Sequence, residues 1–141
     1  MLVRFLNAHA DRSMEWFSAS AMLVWCLVLA QPGDTLTLSP SFSEFVRSGL
    51  SETRLAAIFG LVGGARIVAL IINGRWPRSP LFRMSGAMAG CVIWGQIAWL
   101  QYLGSTASGA ISTGVGVYAL LALADSVNIY RAAFDVRYHR R

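Results

Sequence analysis

Polar and apolar positions along this chain fall into long blocks rather than a short alternation. Met14–Ala30 is apolar, with no charge between Glu15 and Asp34. Leu55–Asn73 is apolar apart from one charge, Arg66. From Met84 to Ala124 there is no charged residue at all. A helix needs about 20 predominantly apolar residues to cross the hydrocarbon core of a bilayer, so the first two blocks predict one span each. The third is too long for one helix and contains the small, turn-forming run Gly104-Ser105-Thr106-Ala107-Ser108-Gly109. Read as a hairpin, it gives two spans. The pattern predicts an all-α membrane protein, a single domain 1–141 folded as a four-transmembrane-helix bundle. Its spans lie near 14–30, 55–73, 84–103 and 109–130, with an outer loop 31–53, a cytoplasmic loop 74–83 and a basic tail 131–141.

Composition points the same way. Of the 141 residues, 55% are hydrophobic and only 13% charged, about half the charged share of ordinary globular chains. A soluble domain this short has too much surface for so little charge, and lipid is the natural solvent for it. Val28-Leu29-Ala30 resembles the small-residue pattern before a signal-peptide cleavage site, and cleavage would leave three spans. The leading segment is long and carries Asp11 and Glu15, so a retained first span is the expectation.

The positive charge is all arginine, and its placement sets the orientation, because short cytoplasmic loops retain basic residues. Nine arginines flank one side: Arg4 and Arg12, then Arg75, Arg78 and Arg83, then Arg131, Arg137, Arg140 and Arg141. The other side has Arg47 and Arg54, set among Asp34, Glu44 and Glu52. Both termini are therefore expected in the cytoplasm, with the chain in a cell inner membrane of bacterial or phage origin. Trp16, Trp76 and Tyr130 fall at the cytoplasmic ends and Trp99 and Tyr102 near the outer end of span three, as interfacial aromatics do, whereas Trp94 and Tyr118 lie deeper, between helices. The net charge of +5 comes without an aromatic–basic stripe or a recognition motif, which argues against nucleic acid. Arg75, Arg78, Arg83, Arg137, Arg140 and Arg141 are candidates for contact with lipid headgroups.

The outer loop opens with Gln31-Pro32-Gly33-Asp34, which ends the first helix. Ser41 and Glu44 then have the spacing of a capping box, followed by Phe42, Phe45, Val46 and Leu50 at helical intervals. A short amphipathic helix over the outer end of the bundle is expected there.

Ionisable groups inside a membrane cost roughly 2.5–3.5 kcal/mol each at mid-span. Two qualify, Arg66 and Asp125. Arg66 lies nine residues before Arg75, about 13 Å along a helix, and Asp125 six before Arg131, about 9 Å. The two share the inner half of the bilayer, so the spacing predicts an ion pair between neighbouring spans two and four. Asn73, Ser126 and Asn128 complete an expected polar cluster. This cluster either locks the helices or makes Asp125 a proton or cation site tuned by Arg66. Gly60 and Gly64, Gly86 and Gly90, and Gly114 and Gly116 (in Ala110-x-x-x-Gly114 and Ser112-x-x-x-Gly116) suit close helix packing, within one subunit or between subunits.

Catalytic and metal-binding patterns are missing. Cys26 and Cys91 sit singly in apolar runs, and His9 and His139 are terminal residues without a ligand motif. Gly60–Gly64 lacks the lysine of a phosphate loop. Neither a metal nor a cofactor is expected, and the chain reads as no enzyme.

In size, span count and basic tail the chain resembles some phage holins, without a diagnostic motif. Small multidrug transporters also have four spans at similar length. Their helix-one glutamate would fall near Glu15, at the membrane edge, and the surrounding residues do not match. The expectation is a non-enzymatic membrane subunit or assembly partner, binding the bilayer and either another membrane protein or itself as a homo-oligomer. The alternatives are a holin-like permeabilising oligomer, and a small transporter or channel using Asp125, with Gln96 as a pore-lining group.

Overall fold

The computed structural model describes residues 12–72 and 79–138. They form helices α1 (Ser13–Leu29), α2 (Thr35–Leu38), α3 (Ser43–Arg47), α4 (Glu52–Ile71), α5 (Ser79–Ala107) and α6 (Thr113–Tyr138), with a 3-10 turn at Pro40–Phe42. No strand occurs among the described residues. Among the described residues two helical stretches, Glu52–Ile71 and Thr113–Arg137, are long and apolar enough to cross a membrane; Ser13–Leu29 is apolar but shorter.

The four long helices form an up-down-up-down bundle in which α5 packs along α6 and α1 along α4. Each turns one heptad-like stripe inward. On α4 the stripe is Phe59, Gly63, Arg66 and Leu70. On α5 it is Arg83, Ala87, Trp94, Ala98 and Gln101, and on α6 Leu121, Asp125, Asn128 and Ala132. Steps of three and four residues keep such positions on one helix face. At one end of the core, Trp25 stacks on Phe59 with ring centroids 5.1 Å apart, and Trp94 stacks on Tyr118 at 5.8 Å. Rings in this arrangement supply large buried area and fix the helix rotations.

Several expected boundaries shift. The hairpin turn does not begin at Gly104: α5 runs on to Ala107, and Gly109, at φ +81°, makes the turn. Gly104 is held in the helix by a packing demand, since a Cβ there would lie 2.7 Å from the carbonyl oxygen of Ser41. Helix α6 accordingly starts at Thr113 rather than near 109, and α5 starts at Ser79, ahead of the apolar block.

The outer loop differs too. In place of one amphipathic helix it has α2, the 3-10 turn and α3, from which Leu36 and Phe45 enter the core. The Ser41–Glu44 capping box does not form. Pro40 sits at the start of the 3-10 turn and Ser39 before it is extended (φ −104°, ψ 119°), as a residue preceding proline prefers. Ser41 is therefore already inside a turn when α3 begins, with no side-chain cap on that helix. A working cap lies later: Ser51 Oγ accepts from the Arg54 amide at 3.3 Å and caps α4.

The glycines divide. Gly60 faces Cys26; a Cβ at Gly86 would lie 3.0 Å from Arg66 Cγ, and one at Gly114 2.5 Å from the Gln101 carboxamide. A Cβ at Gly64 or Gly116 would meet nothing within 4 Å, so neither is a packing position within the bundle. The close approach of α1 and α4 is made by Gly63, whose Cβ would lie 2.9 Å from Met22 Cβ and 3.2 Å from the Ala19 carbonyl. The stripe on α4 is set by Phe59 and Arg66, and Gly63, not Gly64, falls on it.

Candidate functional site: a buried ion-pair network

Arg66 and Asp125 meet at the centre of the bundle. Arg66 Nη2 donates to Asp125 Oδ1 at 2.5 Å and Nη1 to Oδ2 at 2.8 Å, a bidentate pair with both side chains buried. The helices that carry them are not neighbours. Helices α4 and α6 stand diagonally, with α5 packed against both, and the pair reaches across the core rather than along an interface. Its path is opened by Gly90 on α5, where a Cβ would collide with Arg66 Nη1 and Asp125 Oδ2.

Two further donors complete the carboxylate. Ser18 Oγ on α1 donates to Asp125 Oδ2 at 2.8 Å, and Asn128 Nδ2 donates to Oδ1 at 3.1 Å. Ser18 Oγ accepts in turn from Arg66 Nη1 and from Trp94 Nε1, each at 3.1 Å. All four long helices thus contribute a side chain to one network. Asp125 receives four hydrogen bonds while fully buried, which offsets the cost of taking two charges out of water.

The other expected members of the cluster fare differently. Ser126 is exposed; its hydroxyl donates to the Ala122 carbonyl and lies 3.2 Å from Cys91 Sγ. One residue on from Asp125 is about 100° around the helix, so adjacency in sequence turned it out of the core. Asn73 lies outside the described residues, as do Arg75, Arg78, Arg140 and Arg141 among the candidate headgroup contacts. Arg137 is exposed in the last turn of α6.

Arg83 is not a surface headgroup contact. It is buried at the end of the bundle where α1 begins, and donates through Nε and Nη2 to the two carboxylate oxygens of Glu15 and through Nη1 to Asp135 at 2.9 Å. Burial works against its charge, but Glu15 and then Asp135 outweigh this and hold the guanidinium pKa above its ordinary value. Glu15, expected at a membrane edge, is likewise buried inside the bundle. Glu15 and Asp135, with Ser18 and Trp94, are not marked as site members by the sequence, because their stripes become visible only when the helices are aligned. Glu15, Ser18 and Met22 do share a three–four spacing.

The two carboxylates on Arg83 are unequal. The Glu15 side chain is 8% exposed and that of Asp135 39%. Glu15→Gln is expected to cost about 2 kcal/mol, and Asp135→Asn under ~1 kcal/mol, since solvent screens that pair. Thermal unfolding followed by tryptophan fluorescence in detergent checks the order. A larger loss for Asp135→Asn would contradict this assignment.

No group of three or more metal-ligating side chains occurs among the described residues. No protein-family model matches the chain, and neither a curated protein nor a solved structure shows significant similarity to it.

Proposed function

We propose that the chain is a four-span integral membrane protein, with both termini in the cytoplasm, that acts as a non-enzymatic subunit or assembly partner in an inner-membrane complex. The bilayer part of this reading is supported by an inside-out distribution of polarity. The buried centre holds Arg66, Asp125 and Asn128, while Phe17, Leu61, Val92 and Leu120 face outward, one from each long helix. Outward apolar faces around a charged, fully paired centre suit lipid better than water.

The assembly part is carried by Gln96. It lies near the middle of α5, exposed, on the same outward face as Val92 and Trp99. A carboxamide at mid-span has no water to bond, and a polar side chain from a second membrane helix satisfies it. Gln96 points away from the core of its own bundle, which fits an intersubunit contact better than a pore within one subunit. Asp125 is spent on four donors, which disfavours it as a transported-ion site.

Tagged full chain, extracted from membranes in mild detergent, tests this. The expected result is a second copy or another membrane protein co-purifying with the wild type and lost in Gln96→Leu at unchanged accumulation. A lone monomer, with ion flux in liposomes abolished by Asp125→Asn, would establish the transporter reading instead. Sudden dye entry on induction in bacteria would establish the holin-like one.

A further inference from the structure

We propose that the seam between α1 and α6 holds one anionic phospholipid, its phosphate at Arg12 and Arg131 and one acyl chain along the apolar groove below. The inference rests on the membrane reading above and adds a ligand to it.

The seam is the loosest of the bundle's lateral interfaces: α1 packs mainly on α4 and α6 mainly on α5. Two cavities open along it. One, of about 480 Å³, lies at the Arg83 end and is lined by Arg12, Glu15, Arg83, Tyr130, Arg131 and Asp135, with Phe134. Its charged side chains comprise three arginines and two carboxylates, a net +1. Glu15 and Asp135 both accept from Arg83, and Arg12 and Arg131 bring two further guanidinium groups to the same lining. A guanidinium has five donors, so an arginine engaged by a protein group still has N–H groups for a phosphate.

The second cavity, of about 610 Å³, follows on toward the aromatic end of the core. It runs between Met14, Phe17 and Val24 on α1 and Val117, Leu120 and Ala124 on α6. Trp25, Trp94 and Tyr118 close its far end, with the Trp25 and Tyr118 ring centroids 5.4 Å apart. From Met14 to Val24 is ten residues, about 15 Å along a helix. That is half of a hydrocarbon core about 30 Å thick, the reach of one acyl chain in one leaflet. A basic pocket in line with an apolar slot one leaflet long, on the same two helices, matches the two parts of a phospholipid and its negative charge. A transmembrane helix would fill the slot but not the basic pocket beside it, whereas a phospholipid has a part for each, which is why lipid rather than a protein partner is inferred.

The test begins with alkaline carbonate extraction of membranes carrying the full chain. A chain released to the supernatant overturns the membrane reading and this inference together. A membrane-retained chain is purified in detergent and titrated with phosphatidylglycerol or phosphatidylcholine of matched acyl chains, with adducts read by native mass spectrometry. The expected result is one tightly held phosphatidylglycerol. Affinity should fall roughly tenfold or more in Arg12→Gln/Arg131→Gln, the scale for two arginines beside an anionic lipid, and be largely kept in Arg12→Lys/Arg131→Lys. Ala21→Phe, which fills the groove and leaves every charge in place, should also release the lipid; it decides the matter if the glutamine variant fails to accumulate. Equal binding of the two lipids overturns the inference while leaving the membrane reading intact. Preference that survives both the glutamine and the phenylalanine changes overturns the seam as its location.

Discussion

Arg66→Met is expected to abolish accumulation of the folded chain, at a cost of about 3–5 kcal/mol, because it leaves Asp125 buried with no countercharge. The size of the effect comes from burial. Asp125 is wholly inaccessible, and what remains to it after the change is the Ser18 hydroxyl and the Asn128 amide. Removing both charges should cost far less than removing one, since apolar residues of similar volume often replace a buried pair with little loss. Arg66→Met/Asp125→Leu is therefore expected to recover most of the folded protein. Accumulation in the membrane fraction and the unfolding midpoint in detergent measure both variants. If the double variant is as poor as the single one, the energy lies in the wider network through Ser18 and Trp94 and not in charge balance. Charge reversal, Arg66→Asp with Asp125→Arg, should recover less than the apolar double variant. The carboxylate would then start from α4, away from the Ser18 and Asn128 donors that now hold it, and an arginine at 125 would face those donors instead.

The second large effect is expected at Gly90. A methyl group there occupies space held by Arg66 Nη1 and Asp125 Oδ2. Both are ends of side chains, which in another setting would swing aside. Here each is tied into the network, and Ser18, Asn128 and Trp94 share the same bonds. Gly90→Ala should thus cost about 3 kcal/mol, near the loss on breaking a buried pair, although alanine is the better helix former. Gly64→Ala is the control on α4, with nothing within 4 Å of its Cβ. It should gain about 0.5–1 kcal/mol from helix propensity alone. Unfolding midpoints for the two variants, compared under one condition, check the pair of predictions. Equal behaviour of Gly90→Ala and Gly64→Ala would remove the case for Gly90 as the opening through which the ion pair passes.

The candidate site was only half legible before the helices were assembled. Arg66 and Asp125 stand out because each is a lone charge in an apolar block, a signal that needs no partner to be read. Asn128 follows from Asp125 by one helical turn. Ser126 was misplaced for want of the helix rotation, and Gly64 for the same reason: one residue along a helix moves a side chain about 100°. Arg83 looks like an ordinary cytoplasmic arginine until α1 brings Glu15 to it and α6 brings Asp135, across separations of 68 and 52 residues. Ser18 carries no local mark at all. It is one serine among several in α1, selected by facing inward at the depth of Asp125.

What the chain determined by itself was its helices and their polarity. Blocks of apolar residues bounded by arginine, proline and glycine specify the long helices to within about a turn and a half at each end, because backbone hydrogen bonding and apolar burial act over one helix length. That Arg66 and Asp125 stand at matching heights follows from counting along those helices. Tertiary structure decided which stripe of each helix faces inward, and that α4 and α6 stand diagonally rather than side by side. It also turned Gly90 into the passage for a charge pair and converted Arg83 from a surface charge into a buried link between two carboxylates. Those outcomes depend on helix rotation and on contacts between distant segments. A side chain's neighbours there are set by the packing of all four helices at once, which no single stretch of sequence contains.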